Sequence, residues 1–350
     1  MRKRKKIIVL ALIFFYILMA PEKENSVLKI LPAWASSLQA EADIDETTLI
    51  PFRLGKNFGY ISRGGNISFI SEIFHNVTQS NNYFINYSAI TDNLVIRRNN
   101  GNFVTNLTTS GFPIFINERL FVISANSKKI SEWNIDGENL FSFEHVSQLT
   151  SLDAGKDTIV AGFVDGTVVI ADKTGNTEKL IIPKSSRINI TYGVAISDNS
   201  NFVAMITGLD PQYMIIMRKR RGQYEKFFSY QFEENLRHAR FISFFNNDRY
   251  LAFTSDRIFF CFDFSSRQLH RIDLAATITN VHYIDSLNLF AVTTRKENGK
   301  TDFILIDPTC SKLYSKTIVA DFNYIGSSGN KVFFGAEQTI FAAEFVREGI

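Results

Sequence analysis

Short apolar stretches alternate with compact polar segments along most of this chain. From residue 99 onwards, seven three-residue polar segments interrupt the apolar stretches, and another apolar stretch follows six of them. The seven are Asn99-Asn100-Gly101, Asp136-Gly137-Glu138, Lys173-Thr174-Gly175, Arg220-Arg221-Gly222, Ser265-Ser266-Arg267, Thr309-Cys310-Ser311 and Arg347-Glu348-Gly349. Measured between residues 101, 137, 175, 222, 267, 311 and 349, the steps are 36, 38, 47, 45, 44 and 38 residues. Apolar runs bounded by Gly, Asn, Asp and Ser predict β-strands joined by tight turns.

A repeat of about 40 residues that contains several short strands predicts a β-propeller, in which each repeat forms one four-stranded blade. Counting strands along the chain predicts an all-β fold with seven blades, the first of which begins with the strand Ile67–Phe74. The last blade then has only three strands, so we expect an N-terminal strand to complete it and to remove its exposed edge. Phe58–Ser62 is the first candidate for this closing strand, and Thr47–Leu54 is the second.

Two stretches of the repeat are similar to hairpins of known propellers. Residues 161–175 read AGFVDGTVVIADKTG, and residues 130–137 read ISEWNIDG. The first resembles the hairpins of WD40 and quinoprotein-like propellers, in which an Asp-Gly turn and a later Thr-Gly turn flank alternating apolar positions. The resemblance covers the repeat pattern of residues 57–350, and it implies a WD40-like propeller.

The N-terminal end of the chain differs in composition from the rest. Residues 2–6 are five consecutive cations, and residues 7–20 form an unbroken apolar run of 14. This is the order of a secretory signal, and the apolar run is shorter than the roughly 20 residues that span a bilayer comfortably. We interpret residues 1–20 as a signal or membrane-anchor segment, cleaved or uncleaved, residues 21–46 as a tether, and residues 47–350 as the propeller. Because positive charges stay in the cytoplasm, we expect the propeller on the extracytoplasmic side, the periplasm of a bacterium.

Charge and cysteine usage narrow the function classes. The formal charge is +3, but residues 2–6 supply five positive charges, which leaves the other residues near 3 − 5 = −2. Nucleic-acid binding by the propeller is therefore not expected. The only cysteines are Cys261 and Cys310, in neighbouring repeats, and their placement favours free thiols over a disulfide.

No catalytic, cofactor-binding or metal-binding motif is visible. The five histidines are scattered singly through the repeats, and the chain has no His-Glu-x-x-His helix motif and no Gly-x-Ser-x-Gly elbow. The densest charge outside the N-terminal end is Arg218-Lys219-Arg220-Arg221, on a predicted hairpin tip. A solvated hairpin tip is the favoured interpretation, and binding of an anionic polymer or of lipid headgroups is the alternative.

Candidate binding residues lie where the loops of a propeller converge on its axis. Loops between the second and third strands of each blade are predicted to form this mouth, together with the residues that precede the innermost strands. Five side chains on these segments are candidates: Arg187, Arg237, His238, Arg257 and Arg295. A basic mouth on a nearly neutral body would accept acidic partners.

Two function classes are compatible with these observations. The favoured hypothesis is a non-enzymatic, monomeric scaffold that binds a protein partner without a cofactor, for example within a cell-envelope complex. The alternative is a sensor or enzyme that holds a small molecule or a glycan in the central funnel.

Overall fold

The computed structural model describes residues 27–38, 49–88, 92–180, 186–233, 241–318, 322–336 and 338–348. Within these ranges the chain forms eight antiparallel sheets, seven with four strands and one with three. The innermost strands of several neighbouring sheets contact one another, as in a propeller. One 3-10 turn, Asp285–Leu287, is the only helix among the described residues, where no helix is long and apolar enough to cross a membrane.

The strands follow the repeat from end to end. In chain order they are β1 (Val27–Ser37), β2 (Ile50–Leu54), β3 (Asn57–Ile61), β4 (Ile67–Glu72), β5 (Asn76–Gln79), β6 (Tyr83–Tyr87), β7 (Asn93–Arg98), β8 (Phe103–Thr108), β9 (Phe112–Ile116), β10 (Arg119–Ile123), β11 (Lys129–Trp133), β12 (Asn139–Glu144), β13 (Leu149–Ala154), β14 (Thr158–Phe163), β15 (Val168–Asp172), β16 (Thr177–Leu180), β17 (Ile188–Ile196), β18 (Phe202–Leu209), β19 (Tyr213–Arg220), β20 (Gln223–Gln231), β21 (Ile242–Phe245), β22 (Tyr250–Thr254), β23 (Ile258–Asp263), β24 (Gln268–Asp273), β25 (Thr277–Ile284), β26 (Leu289–Arg295), β27 (Thr301–Ile306), β28 (Lys312–Ile318), β29 (Phe322–Ser328), β30 (Lys331–Ala336) and β31 (Thr339–Glu348).

Blade 1 consists of β2–β4, and blades 2 to 7 take four consecutive strands each, from β5–β8 to β25–β28. Blade 8 consists of β29–β31 and β1. In blades 2 to 7 the turns between second and third strands and the linkers between blades lie on one face, which we call the linker face. The turns between first and second strands and between third and fourth strands lie on the other, which we call the hairpin face.

The propeller architecture is confirmed, but the predicted number of seven blades is wrong. The predicted strand Ile67–Phe74 was expected to open the blade that contains β6–β8. In the structure it is β4, Ile67–Glu72, and it pairs with β3 instead, for example Phe58 with Ser71. The first strand of blade 2 is Asn76–Gln79, which has a single apolar residue, Val77, and therefore gives almost no apolar signal. A polar turn at Gly65 also precedes Gly101 by 101 − 65 = 36 residues, so the period extends one repeat further than was counted.

An N-terminal strand closes the ring, but it is neither of the two candidates. β1 pairs antiparallel with β31 from Val27 opposite Glu348 to Ser37 opposite Thr339. The segment Val27–Ser37 was assigned to the tether, whereas Phe58–Ser62 and Thr47–Leu54 overlap strands of blade 1. β31 also continues through Arg347 and Glu348, where a turn was predicted. Residues 1–26 and 39–48, and with them the proposed signal or anchor segment, lie outside the described residues.

Phenylalanine fills the spaces between neighbouring blades. Between blades 5 and 6, Phe253 and Phe260 are fully buried, with ring centroids 4.7 Å apart and an angle of 3° between the rings. Phe232 meets both of them edge to face. The spaces between sheets that pack face to face around an axis are filled well by aromatic rings, which explains the large number of Phe residues in the chain.

Candidate functional site

Exposed apolar side chains single out the linker face. Among the described residues, nine large apolar side chains are exposed, and four of them lie on outermost strands: Leu31, Phe103, Leu140 and Leu313. The other five lie on the linker face: Phe74, Phe112, Val146, Val164 and Ile188. Val146 and Phe74 are the most exposed of the nine, at 80% and 75%. Exposed apolar side chains that gather on one face of a domain are typical of interaction surfaces.

Three of the five belong to consecutive segments around blade 4. Val146 lies in the linker before β13, Val164 in the turn between β14 and β15, and Ile188 at the start of β17. We call these three residues the blade 4 patch. The backbone N–H of Val164 donates to the carbonyl of Gln148 at 2.9 Å, which ties the turn to the linker. The patch is therefore presented by segments that hold one another in place.

The histidine beneath the patch has a structural role. The Nε2 atom of His145 lies 3.0 Å from Oδ2 of Asp165, and its ring packs on Phe163 with centroids 4.1 Å apart. Burial alone would raise the pKa of Asp165, but hydrogen bonds from Thr167 and His145 outweigh burial and lower that pKa. Because Thr191 donates to the carbonyl of Gly166 at 3.2 Å, the turn is also fastened to blade 5. These contacts fix the backbone that carries Val164.

Arg187 adjoins the patch through Ile188. Its guanidinium lies 2.6 Å from a carboxylate oxygen of Asp210, in the turn between β18 and β19, and its backbone N–H donates to the Asp210 carbonyl at 3.0 Å. Both side chains are exposed, so the ion pair itself contributes little to stability. Its effect is to hold a cation next to the apolar surface.

Arg257 and Arg295 line one open cleft of about 750 Å³ between blades 6 and 7, together with Lys296 and Glu297. Arg257 lies 3.7 Å from the carboxylate of Asp273. Lys296 lies 2.8 Å from the carboxylate of Asp302. The neighbouring carboxylates therefore offset much of the positive charge of this cleft.

The structure thus brings together two of the five candidate residues. Arg187 lies on the same face but does not line the cleft, and Arg237 and His238 lie outside the described residues. The blade 4 patch was not predicted from the sequence, because its three side chains are uncharged and the candidate residues were charged ones. A sequence signal was present, since Val146 and Val164 stand alone in otherwise polar segments, His145-Val146-Ser147-Gln148 and Val164-Asp165-Gly166-Thr167.

Two titratable groups of the innermost strands, Asp153 and His282, bridge neighbouring blades. Oδ2 of Asp153 on β13 accepts a hydrogen bond from the N–H of Ile196 on β17 at 2.9 Å, and burial raises its pKa to about 6. Nε2 of His282 on β25 lies 2.7 Å from Oγ of Ser327 on β29, and burial lowers its pKa to about 4. Each group faces the neighbouring blade, so both act as inter-blade contacts.

Both cysteine side chains are buried. Cys261 and Cys310 are free, and burial raises the pKa of the Cys310 thiol to about 12. Their side chains belong to the apolar cluster between blades 6 and 7. No group of three or more His, Cys, Asp or Glu within the described ranges could hold a metal ion.

Comparison with known proteins agrees with this architecture. A family model described as "beta-propeller protein" matches residues 1–348. An uncharacterized protein of Treponema pallidum (strain Nichols) is 22% identical over 279 residues, which cover 76% of this chain and 74% of that protein. Among solved structures, the computationally designed Ika8 protein covers 88% of this chain and 98% of its own, with a TM-score of 0.62 and 14% identity. BamB from Moraxella catarrhalis covers 91% of this chain and 100% of its own, with a TM-score of 0.59 and 11% identity. These two likenesses concern the fold alone, and the match to the family model shows that the chain belongs to the beta-propeller protein family.

Proposed function

We propose that this protein is a non-enzymatic propeller that docks a protein partner on its linker face. The observation that carries the proposal is the blade 4 patch, in which Val146, Val164 and Ile188 are exposed on interlocked segments. Apolar anchors on a rigid backbone lose little conformational entropy on binding, and such anchors supply most of the affinity of a protein interface.

The neighbouring charges indicate the chemistry of the partner. Arg187 adjoins Ile188, and its bond to Asp210 is exposed and can be exchanged. A partner segment with two or three apolar side chains and a nearby carboxylate would fill the patch and pair with this guanidinium. Such a charge at the rim would speed association and select partners more than it would raise affinity.

We propose in addition that residues 1–20 attach, or have attached, the chain to a membrane, with the propeller on the extracytoplasmic side. The basic-then-apolar order of these residues supports this location. An alkaline phosphatase fused after Gly349 is expected to be active, and a reporter that works only in the cytoplasm is expected to be silent. The opposite pattern would reverse the proposed topology.

Docking is tested by capture of the full chain from its native membranes after crosslinking. The variant Val146→Ser/Val164→Ser/Ile188→Ser is compared with the control Phe103→Ser/Leu140→Ser/Leu313→Ser, whose three apolar side chains are also exposed but lie on outermost strands. A stoichiometric partner of the wild type is expected to lose about tenfold or more in affinity with the patch variant and to stay attached to the control. Equal behaviour of the two variants, or the absence of any stoichiometric partner, would contradict the proposal.

The cleft between blades 6 and 7 supports the alternative function, a small molecule or glycan held near the axis. Its volume is sufficient for such a ligand, although neighbouring carboxylates offset much of its charge. Arg257→Ala/Arg295→Ala separates the two functions. If a copurifying small molecule or glycan is lost with this variant and retained with the patch variant, the funnel is the functional site.

A further inference from the structure

The hairpin of β19 and β20 carries an unusual concentration of cations. Six basic side chains lie on it or beside it: Arg218, Lys219, Arg220, Arg221, Lys226 and Arg267. All but Arg218, which is half-buried, are exposed. We call these six residues the basic hairpin patch. Glu225, opposite Arg218 in the strand register, is the only carboxylate on the hairpin between Tyr213 and Gln231.

Two blades contribute to this patch through one aromatic ring. The guanidinium carbon of Arg218 lies 5.1 Å from the centroid of Phe227, and that of Arg267, on the next blade, lies 5.8 Å from the same centroid. Two cations that share one ring repel each other, so the arrangement favours an anion in contact with both. Arg221 and Gly222 form the tip with φ of 50° and 86°, the geometry of a tight two-residue turn.

Among the described residues, several other surface cations are paired with carboxylates, whereas the arginines of this patch are not. Arg187, Arg249, Arg257, Arg271 and Lys296 each lie within 4.0 Å of a carboxylate. Within the described part of the chain, Arg218, Arg220, Arg221 and Arg267 make no ion pair and no side-chain hydrogen bond. Their positive charge is therefore available to an external anion.

The direction of the chain brings the hairpin to the side where the N-terminal segment enters. β31 ends and β1 begins on the hairpin face, since Val27 lies opposite Glu348. The turn between β19 and β20 joins third and fourth strands, so it lies on the same face. Only six residues, 21–26, separate the apolar run from Val27, and seven extended steps span at most about 25 Å. A membrane that holds residues 7–20 would thus face the hairpin face.

We propose that the basic hairpin patch binds the phosphate headgroups of an anionic membrane and turns the hairpin face towards the bilayer. The inference rests on the proposed attachment of residues 1–20, and it leaves the linker face directed away from the membrane towards a partner. An anionic lipid surface attracts each nearby cation, and this attraction weakens with salt. The six cations are sufficient to orient a body that is already tethered.

The test uses the full chain in nanodiscs of phosphatidylcholine, with or without phosphatidylglycerol. A photo-crosslinking residue replaces Gln223, beside the tip, or Asn298, an exposed residue of the linker face. We expect lipid adducts at position 223 to be several-fold more abundant in the anionic discs and to fall to the neutral level at high salt. No adduct is expected at position 298. Equal adducts in both kinds of disc, or adducts at position 298 instead, would overturn the proposal.

Charge removal provides the second arm. Arg220→Gln/Arg221→Gln/Arg267→Gln should lower the adduct at position 223 several-fold, whereas the matched control Lys128→Gln/Lys129→Gln/Lys300→Gln on the linker face should not. Urea unfolding checks that both variants are folded. If either variant is unfolded, the salt dependence of the wild-type adduct at position 223 tests the proposal instead. If a sulfated polysaccharide binds the patch while anionic discs give no adduct, the occupant is a polymer and the proposal fails. Retention of the chain on neutral discs tests the membrane attachment of residues 1–20 separately. Partner capture tests the docking proposed for the linker face.

Discussion

Asp153 offers a direct measurement of how an inter-blade polar contact affects stability. It lies on the innermost strand of blade 4, where its carboxylate accepts the N–H of Ile196 from blade 5. Burial raises its pKa from 3.8 to about 6, and the charge of Asp198 acts in the same direction. Asn has the same shape and keeps an oxygen acceptor, so Asp153→Asn removes the charge with little change in packing.

The sign of the effect follows from the raised pKa. The folded protein binds the carboxyl proton of Asp153 more tightly than the unfolded chain does. The resulting contribution to stability is therefore fully present below pH 3.8. That stabilisation is lost as the pH rises through about 6. The change in pKa corresponds to about 3 kcal/mol at 1.36 kcal/mol for each pH unit. The added NH2 group of Asn offsets part of this, so Asp153→Asn should gain about 1–2 kcal/mol at pH 8 and nothing at pH 4.

Urea unfolding of the full chain, followed by the fluorescence of Trp34 and Trp133, measures the difference at several pH values. Asp157→Asn is the control, because Asp157 is exposed and its contact with Lys173 is 3.5 Å long. The control should change stability by less than about 0.5 kcal/mol at any pH. A gain for Asp153→Asn that does not vary with pH, or a loss at pH 8, would refute the argument from burial.

Two further substitutions test the closure of the ring and the ion pair between Arg119 and Glu132. Gly65 has φ of +100°, and a Cβ at this position would lie 2.6 Å from a ring atom of Trp34. Gly65→Ala should therefore lower the free energy of unfolding by about 2–3 kcal/mol and red-shift the fluorescence emission of Trp34. Gly55→Ala is the control for this substitution, because Gly55 also has a positive φ, +61°, but no atom lies within 4 Å of a Cβ placed there. An equal loss of stability in the two variants would exclude the contact with Trp34 as the cause of the loss. Arg119 donates two hydrogen bonds to the buried carboxylate of Glu132, at 2.8 and 2.6 Å. Arg119→Met should therefore cost about 3–5 kcal/mol in urea unfolding. Arg119→Met/Glu132→Leu should recover part of this cost, since the bonds from Arg119 to the carbonyls of Gly155 and Thr158 stay lost. No recovery in the double variant would show that the unpaired carboxylate is not the cause.

The candidate site was only partly accessible from the sequence. The loops predicted between second and third strands lie where they were expected, because each follows a strand of clear apolar character, as Val164 follows Thr158–Phe163. The ion pairs that offset the charge of Arg257 and Lys296 were not predictable, since their carboxylates lie 16 and 6 positions away and meet them only across a folded sheet. The convergence of Arg218 and Arg267 on Phe227 was equally hidden, because it joins two blades.

The sequence by itself determined the architecture of blades 3 to 7. Apolar runs of four to eight residues, such as Phe259–Phe262, and polar turns such as Lys173-Thr174-Gly175 are local features, and each specifies a hairpin without help from distant residues. Only the tertiary structure decided the number of blades and the closing strand. Whether Ile67–Glu72 belongs to blade 1 or to blade 2 depends on which neighbouring strand pairs with its backbone. The apolar pattern of this strand is compatible with both blades. Val27–Ser37 finds its partner more than 300 residues away in β31, and such a pairing is decided by the closure of the ring, which leaves no local pattern in the chain.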